Sequence, residues 1–425
     1  MIKVKIGIVI KKLKHRRRIV LLSYNIVISC DNNYVKYVAV VIASIIKNTK
    51  INSQLKEYPY KFYILSNDIS KNNILKLKKL IQHLSNSYYN CELIIHKIDD
   101  SKFHRFPKAW HVNHATYYRF EIADIVEGNK CLYLDADVLV CGDIRELFYM
   151  ELNNKVAGVV TDSCSRLWTK LYTKDNKTSS YIEFDPLMYF NAGVILIDLN
   201  QWKKHDIKNK CIDAFNIYDH GGLADQSYLN IALKELTYKL PLNWNLIVPE
   251  YILLDGYERH YVVNCLDEIS EYNLAYTRSE FEEAMKNKKI VHFCAAKPWW
   301  NLYYKNNKVD FNERNVWWEI ALNLEEFKEE FYFLKNSLDS KHLNRQLNTI
   351  EWILKNGDKN SSNVLYSSYD IDNIKKIKNH LSYKLGNAIV LSFKYWYKGR
   401  LLKLPFELVS IYKKHKRQKG SFYAN

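Results

Sequence analysis

Between Tyr24 and about Phe148 short runs rich in β-branched and aromatic residues alternate with longer helical patterns, and this alternation limits the possible folds more than any other feature of the chain. The short runs Asn25-Ile26-Val27-Ile28, Phe62-Tyr63-Ile64-Leu65, Leu93-Ile94-Ile95 and Cys131-Leu132-Tyr133-Leu134 read as strands. Val35 to Ile46, Ile74 to Leu84 and Ala115 to Ile125 read as helices between them. Such alternation implies an α/β fold with a mostly parallel sheet and helices on both faces. Ligands of open sheets of this kind bind beyond the carboxyl ends of the strands. Asp31 follows the first strand and Asp135 the fourth, so both are expected on that edge.

Asp135-Ala136-Asp137 carries the clearest chemistry. Two carboxylates one residue apart, where a buried strand surfaces, repel one another unless something positive sits between them. A divalent cation is the simplest guest. Held by carboxylate oxygens with open positions, it suits a nucleotide-sugar diphosphate, whose leaving-group charge develops on phosphate oxygens. Taken alone the motif is weak, because acidic pairs also occur in loops and helix caps.

Further along, Asp143 is placed to cap a short helix through Phe148, and Val156 to Val160 reads as a strand. Ser163 to Asp185 is polar and dotted with aromatic residues, which predicts a mobile loop over the site. Phe190 to Asp198 reads as a strand followed by helix, and Lys288 to Phe293 as a last buried strand. Asn312 to about Lys355 is helical and charged, Gly357 to Asn363 reads as a linker, and Asp370 to Asn425 is markedly basic. No internal repeat is present.

The chain has 425 residues, 48% of them hydrophobic, enough for one large domain with additions. Its 63 Lys and Arg against 46 Asp and Glu give a net charge of +17, which favours anionic partners without choosing among nucleic acid, acidic lipid and phosphorylated substrate. Eight cysteines form no C-x-x-C pair and several lie in apolar runs, which points to a reducing compartment. No apolar stretch reaches the length of about 18 residues that a membrane span needs. Met1 to Arg18 lacks the basic, apolar, cleavage-site order of a signal peptide, so a cytoplasmic protein is expected.

Six blocks together resemble the family 8 glycosyltransferases, retaining enzymes with one nucleotide-sugar-binding domain of the A type. The nearest branch is that of the bacterial lipopolysaccharide galactosyl- and glucosyltransferases. The blocks are Ile26-Val27-Ile28-Ser29-Cys30-Asp31-Asn32-Asn33-Tyr34, Ala115-Thr116-Tyr117-Tyr118-Arg119, Leu132 to Val140, Phe190-Asn191-Ala192-Gly193-Val194, Ala224 to Asn230, and His292-Phe293-Cys294-Ala295-Ala296-Lys297-Pro298-Trp299. The resemblance implies a catalytic domain over 24–310. A basic extension over 1–23 precedes it, and a helical extension over 311–356 and a linker with a basic aromatic tail over 357–425 follow.

The resemblance also assigns roles. Asp31 and Asn33 would meet uracil and ribose, although either also suits a helix N-cap. Arg119 would contact the donor sugar or its phosphate, a task that fits its planar fork of donors; its plainer reading is a surface salt bridge. Asn191, with small neighbours, would let a sugar approach the backbone. Asp225 and Gln226 correspond to the pair at the reacting centre, the carboxylate gripping sugar hydroxyls and the amide lying near the anomeric carbon. His292 would join Asp135 and Asp137 as the third metal ligand, and Lys297 would grip the diphosphate. The commoner family spacing has a glycine three residues after the histidine and the lysine six after it. Here position 295 is alanine and Lys297 is five after.

These roles imply transfer of a hexose from UDP-glucose or UDP-galactose to a glycan or glycolipid acceptor, with Mn²⁺ or Mg²⁺ as cofactor and the anomeric configuration retained. Same-face attack by the acceptor and a covalent intermediate on Asp225 both stay open. A haloacid-dehalogenase-type phosphatase would carry its D-x-D on the first strand, whereas three strand-helix units precede this one. A glycogenin-like self-glucosylating transferase would share the same residues, and the basic charge would also suit a membrane- or nucleic-acid-binding protein with a vestigial sugar site. His111-Val112-Asn113-His114 has zinc-compatible spacing but no partners nearby, and Gly221-Gly222 belongs to no phosphate-cradle motif.

From Asn373 onward thirteen Lys and Arg face one acid, Glu407, and are interleaved with aromatic and leucine residues. That mixture suits an interfacial helix on an anionic membrane better than nucleic acid. The protein is therefore expected to be peripheral on the inner face of a membrane.

Overall fold

The computed structural model describes residues 23–51, 55–108, 113–167, 169–175, 180–247, 274–294, 297–299, 312–338, 384–385, 388–389 and 400–420. The chain divides into two compact units, Met1–Leu338 and Asp339–Asn425. The segment 312–338 therefore lies in the first unit with the sheet. The linker expected over 357–363 and the basic leader lie outside the described residues.

The first unit opens with β1 (Tyr24–Ser29), α1 (Val35–Lys47), β2 (Tyr60–Ser66), α2 (Lys71–Ser87) and β3 (Cys91–Lys97). A 3-10 helix, His114–Glu121, continues into one α turn, Ile122–Ile125, where a single α-helix was expected. Then come β4 (Lys130–Leu134), β5 (Val138–Val140), β6 (Ala157–Thr161) and a small hairpin of β7 (Lys170–Tyr172) and β8 (Tyr181–Glu183). The expected mobile loop over 163–185 thus contains a 3-10 turn, Ser165–Leu167, and this antiparallel pair. Leu171 anchors the pair in a small cluster with Phe184 and Tyr189.

β9 (Phe190–Asp198) leads into α3 (Leu199–Lys204), α4 (Ile207–Ile217) and α5 (Asp225–Ala232). Next are β10 (Thr237–Lys239), β11 (Leu246–Ile247), α6 (Arg278–Lys286), β12 (Ile290–His292) and α7 (Asn312–Leu322). The second unit contributes α8 (Arg400–Gly420).

Seven strands form the central sheet in the order β10-β6-β9-β4-β1-β2-β3, and β11, β12 and β5 form a second sheet. All pairs in the large sheet are parallel except those of β9 with β4 and β6. Strand alternation explains how both faces are covered. Ile26, Ile28, Phe62, Ile64, Leu132 and Leu134 enter one core with α1 and α2, and Val27, Tyr63, Leu65, Cys131 and Tyr133 enter the other with α3 and α4. α1 (VKYVAVVIASIIK) is apolar almost all round because it is buried between the sheet and an aromatic layer. In that layer Tyr37 stacks on Trp299 with ring centroids 3.7 Å apart, and Trp299 lies 5.1 Å from Trp317. The Trp318 indole N–H donates to the Pro298 carbonyl at 3.2 Å. No helix among the described residues is long and apolar enough to cross a membrane.

Trp317 is fully buried against Tyr37, Trp299 and Phe331. Trp317→Ala is expected to cost about 3–5 kcal/mol, from lost burial and the cavity left behind. Denaturant unfolding would show this as a lower midpoint with unchanged slope, and an unchanged midpoint would mean that α7 does not stabilise the sheet.

Candidate active site

The carboxyl ends of β1, β4 and β6 and the start of antiparallel β9 all reach one edge of the large sheet. β1 and β4 are neighbours from which the chain's connections run in opposite directions, the place where such sheets leave a crevice. At this edge β4 hands the chain to the second sheet. The Asp135 N–H donates to the Gly193 carbonyl at 2.9 Å, β5 pairs with β12 so that Val138 lies opposite His292, and the Phe293 N–H donates to the Asp137 carbonyl at 3.0 Å. Asp135 and Asp137 thus span the junction of two sheets, and β12 delivers His292 beside them.

His292 Nε2 lies 3.2 Å from Asp137 Oδ1 and 3.8 Å from Asp135 Oδ2. One ligand atom from each of the three residues falls within 4.8 Å of the others, the one such His, Cys, Asp and Glu group among the described residues. Two observations fit a cation here. Nε2 is buried with no hydrogen-bond partner, and a Cβ on Gly193 would overlap the His292 ring and come within 2.8 Å of Asp135 Oδ2. Two carboxylates and an imidazole nitrogen form a donor set that suits a divalent cation.

The protein supplies its own cations on the outer sides of the pair. Arg119 is buried and its Nη2 donates to Asp135 Oδ1 at 2.8 Å, while Nε lies 3.1 Å from Asp225 Oδ2. Nη1 donates to the Ala192 carbonyl at 2.6 Å and Nε to that of Thr116 at 2.9 Å, and the guanidinium stacks over Tyr133. Arg119 is therefore an internal brace between two carboxylates, where a surface salt bridge was the plainer expectation. Burial alone would lower its pKa, yet Asp135 and Asp225 outweigh burial and raise it. Lys297 ion-pairs with Asp137 and donates to the Cys294 carbonyl at 2.9 Å. Burial disfavours the Asp137 carboxylate, but the Lys297 ammonium beside it holds it well below the usual range. Lys297 reaches this position because Pro298 and Trp299 are pinned by the aromatic layer. Ala295, where the spacing departs from the commoner pattern, lies outside the described residues.

Asp225 begins α5 directly after Ala224, whose φ of 49° is a left-handed conformation uncommon outside glycine. Its carboxylate accepts from the Thr116 hydroxyl. Burial pushes its pKa up to about 6, against the pull of Arg119 and Thr116. Gln226 Oε1 accepts from the Ala192 N–H at 3.1 Å and from Asn191 Nδ2 at 3.2 Å, and its Nε2 donates to Asp162 Oδ2 at 3.2 Å. The amides of Asn191 and Gln226 are thus held by the protein itself.

Asp31 accepts from the N–H groups of Asn33 and Tyr34 at 2.8 and 3.0 Å, fixing the turn that starts α1, and from Asn113 Nδ2 at 2.5 Å. Neither residue is the N-cap of α1, which is Tyr34 with no side-chain hydrogen bond; Asp31 closes the turn before it, and Asn33 is exposed. Of the zinc-compatible histidines, His111 lies outside the described residues and His114 faces Asp100 at 3.4 Å. Sequence reasoning passed over Thr116, Asp162 and Asn245. Asp162 follows β6 as Asp135 follows β4, so the strand-end rule that singled out Asp31 and Asp135 would have found it. Nothing local marks the other two.

Comparison with known proteins agrees with this geometry. Residues 25–302 match the family described as Glycosyl transferase family 8, and the chain belongs to that family. Residues 331–417 match a domain of unknown function, DUF8374. A putative glycosyltransferase of Haemophilus influenzae is 33% identical over 49% of this chain and 58% of its own length. The lipopolysaccharide 1,2-glucosyltransferase of Escherichia coli K12 is 29% identical over 52% of this chain and 62% of its own. The chain thus spans about three fifths of the length of these curated relatives. The apo structure of the bifunctional glycosyltransferase WbbM shares the fold, with a TM-score of 0.55 at 22% identity over 73% of this chain and 51% of WbbM.

Because the Asp225 carboxyl binds its proton more tightly in the folded protein than in the unfolded chain, ionising it costs stability, and that cost is relieved as pH falls through about 6. An activity that needs the carboxylate is lost over the same interval. We expect an acid limb near pH 6 in the rate profile. Thr116→Val, which removes a hydrogen bond to the ionised form, should move that limb upward, and an unmoved limb would assign it to another group.

Proposed function

We propose that this protein transfers a hexose from UDP-glucose or UDP-galactose to a hydroxyl of a surface glycan, such as a lipopolysaccharide core, and retains the anomeric configuration. The observation that carries this reading is the convergence of Asp135, Asp137 and His292 at the β1/β4 crevice, with Asp225 and Gln226 held across from them by Arg119 and Asn191. Family membership and the lipopolysaccharide transferase among the relatives favour it over a glycogenin-like, phosphatase or purely binding role.

Asp135, Asp137 and His292 would hold Mn²⁺ or Mg²⁺, which when bound neutralises charge on the departing diphosphate. Asp31 and Asn33, at the mouth of the crevice, would take uracil and ribose. Lys297 would share its charge between Asp137 and the diphosphate, and Arg119 would keep Asp135 and Asp225 oriented while facing the donor. Asp225 would accept hydrogen bonds from sugar hydroxyls. The Gln226 amide is a poor nucleophile and is already committed to Ala192 and Asp162, which favours same-face attack by the acceptor over a covalent step on that side chain. Release of UDP is expected to cease in chelator and return with Mn²⁺, with Asp137→Ala inactive but folded. NMR of the transferred sugar should show the donor's anomeric configuration. Full activity in chelator, or an inverted product, would refute the reading.

Exposed Phe406, Val409 and Tyr412 lie along α8, with exposed Lys403 and Lys413 beside them. This pattern supports docking to an anionic membrane that carries the acceptor, with the protein on the cytoplasmic face, each basic residue near the lipid contributing about 1 kcal/mol. Vesicles containing acidic lipid should bind the protein at low salt and release it at high salt. Phe406→Ser with Val409→Ser should weaken binding. Unchanged binding in that variant, or equal affinity for RNA at the same salt, would overturn the membrane assignment.

A further inference from the structure

The buried polar groups behind the carboxylate pair form one chain of hydrogen bonds whose direction is fixed by backbone N–H groups. The Gly193 N–H can only donate, and it donates to Asn191 Oδ1 at 3.0 Å. The Asn191 amide therefore has its nitrogen on the other side, where Nδ2 meets Asp162 Oδ2 and Gln226 Oε1, each at 3.2 Å. The Ala192 N–H fixes Gln226 in the same way. Asn191 Oδ1 also accepts from Asn245 Nδ2 at 2.9 Å, so the other end of the Asn245 amide, Oδ1, must face His292 Nδ1, 3.1 Å away. An amide oxygen only accepts. A neutral His292, the form a metal ligand needs, therefore carries its one proton on Nδ1, which leaves the lone pair on Nε2, the atom aimed at Asp137 and Asp135.

We propose that Asn245 is a positioning residue that holds His292 as its Nδ1–H tautomer and so sets Nε2 as a ligand for a divalent cation. Asn245 is fully buried immediately before β11, and β11 runs parallel to β12 with Ile247 opposite His292. The amide and imidazole are thus locked by the same sheet. A metal-bound histidine whose other nitrogen donates to an oxygen is fixed in both tautomer and ring orientation, and losing that partner typically lowers metal affinity about 10- to 100-fold. The same amide, through Asn191, joins the cation site to Gln226 and Asp162 at the reacting centre. This inference rests on the metal reading above only for its consequence; the tautomer is a property of the chain alone.

The first test is ¹⁵N NMR of the histidine-labelled full-length protein without metal, at a pH where imidazoles are neutral. His292 signals are identified by their loss in His292→Gln. The Nδ1–H pattern is expected, and an Nε2–H pattern would overturn the proposal. The second test is Mn²⁺ titration followed by EPR. Asn245→Leu, which removes both hydrogen bonds, should weaken Mn²⁺ binding at least about tenfold, whereas Asn245→Asp keeps an acceptor for Nδ1–H and should restore most of it. Wild-type affinity in a folded Asn245→Leu, or equal losses in both variants, would refute the positioning role. Nδ1–H His292 in a wild-type protein that binds no Mn²⁺ would support the tautomer assignment and overturn the metal reading instead.

Discussion

The structure depends on balancing charge at one buried junction. Asp135, Asp137 and Asp225 are brought together where β4 passes to the second sheet, and burial penalises the carboxylates of Asp137 and Asp225. Arg119 answers Asp135 and Asp225 from one side, and Lys297 answers Asp137 from the other. Three carboxylates against two cations leave an excess of negative charge, and the unengaged faces of Asp135 and Asp137 turn towards His292. Removing either cation would leave a buried carboxylate unpaired, usually more costly than the pair is worth.

That balance explains why parts of the protein far from the junction are arranged as they are. Lys297 stays beside Asp137 because its neighbours Pro298 and Trp299 are tied to α1 and α7 by stacked rings and an indole hydrogen bond. Arg119 is presented by the helical segment His114–Glu121, whose first turn is capped by Asn113, and Asn113 also reaches Asp31 at the end of β1. Gly193 allows the closest approach of all, since any side chain there would occupy the space of the His292 ring and the Asp135 carboxylate. Packing, capping and electrostatics are therefore linked, and the aromatic layer behind α1 acts on the site through Lys297.

Six of the large sheet's seven strands, all but β10, and the first two helices were legible because their signals are local. The β-branched and aromatic runs Ile26 to Ile28 and Phe62 to Leu65 need no knowledge of the partner strand, and the apolar run of α1 marks a helix buried on several sides. The stretch over 163–185 was harder to read. Its strands are short, and β7 is held by Leu171 packing on residues distant in sequence. The helix expected over 115–125 begins as a 3-10 segment while Arg119, Tyr117 and Tyr118 reach separate partners, a tertiary demand that propensity does not express.

By itself the sequence determined the fold class, the sheet edge that carries Asp31 and Asp135, and the residues of the acidic pair, because apolar strand runs and strand-end carboxylates are written in consecutive positions. Only the tertiary structure decided what those residues face. Lys297 lies 160 positions from Asp137 along the chain, and His292 and Asp225 are likewise remote, so their pairing depends on strand register and loop anchoring that no local pattern encodes. The same holds for Asp162, Thr116 and Asn245, whose side chains are ordinary in sequence. Their hydrogen-bond directions follow from backbone N–H groups that become neighbours when the two sheets meet.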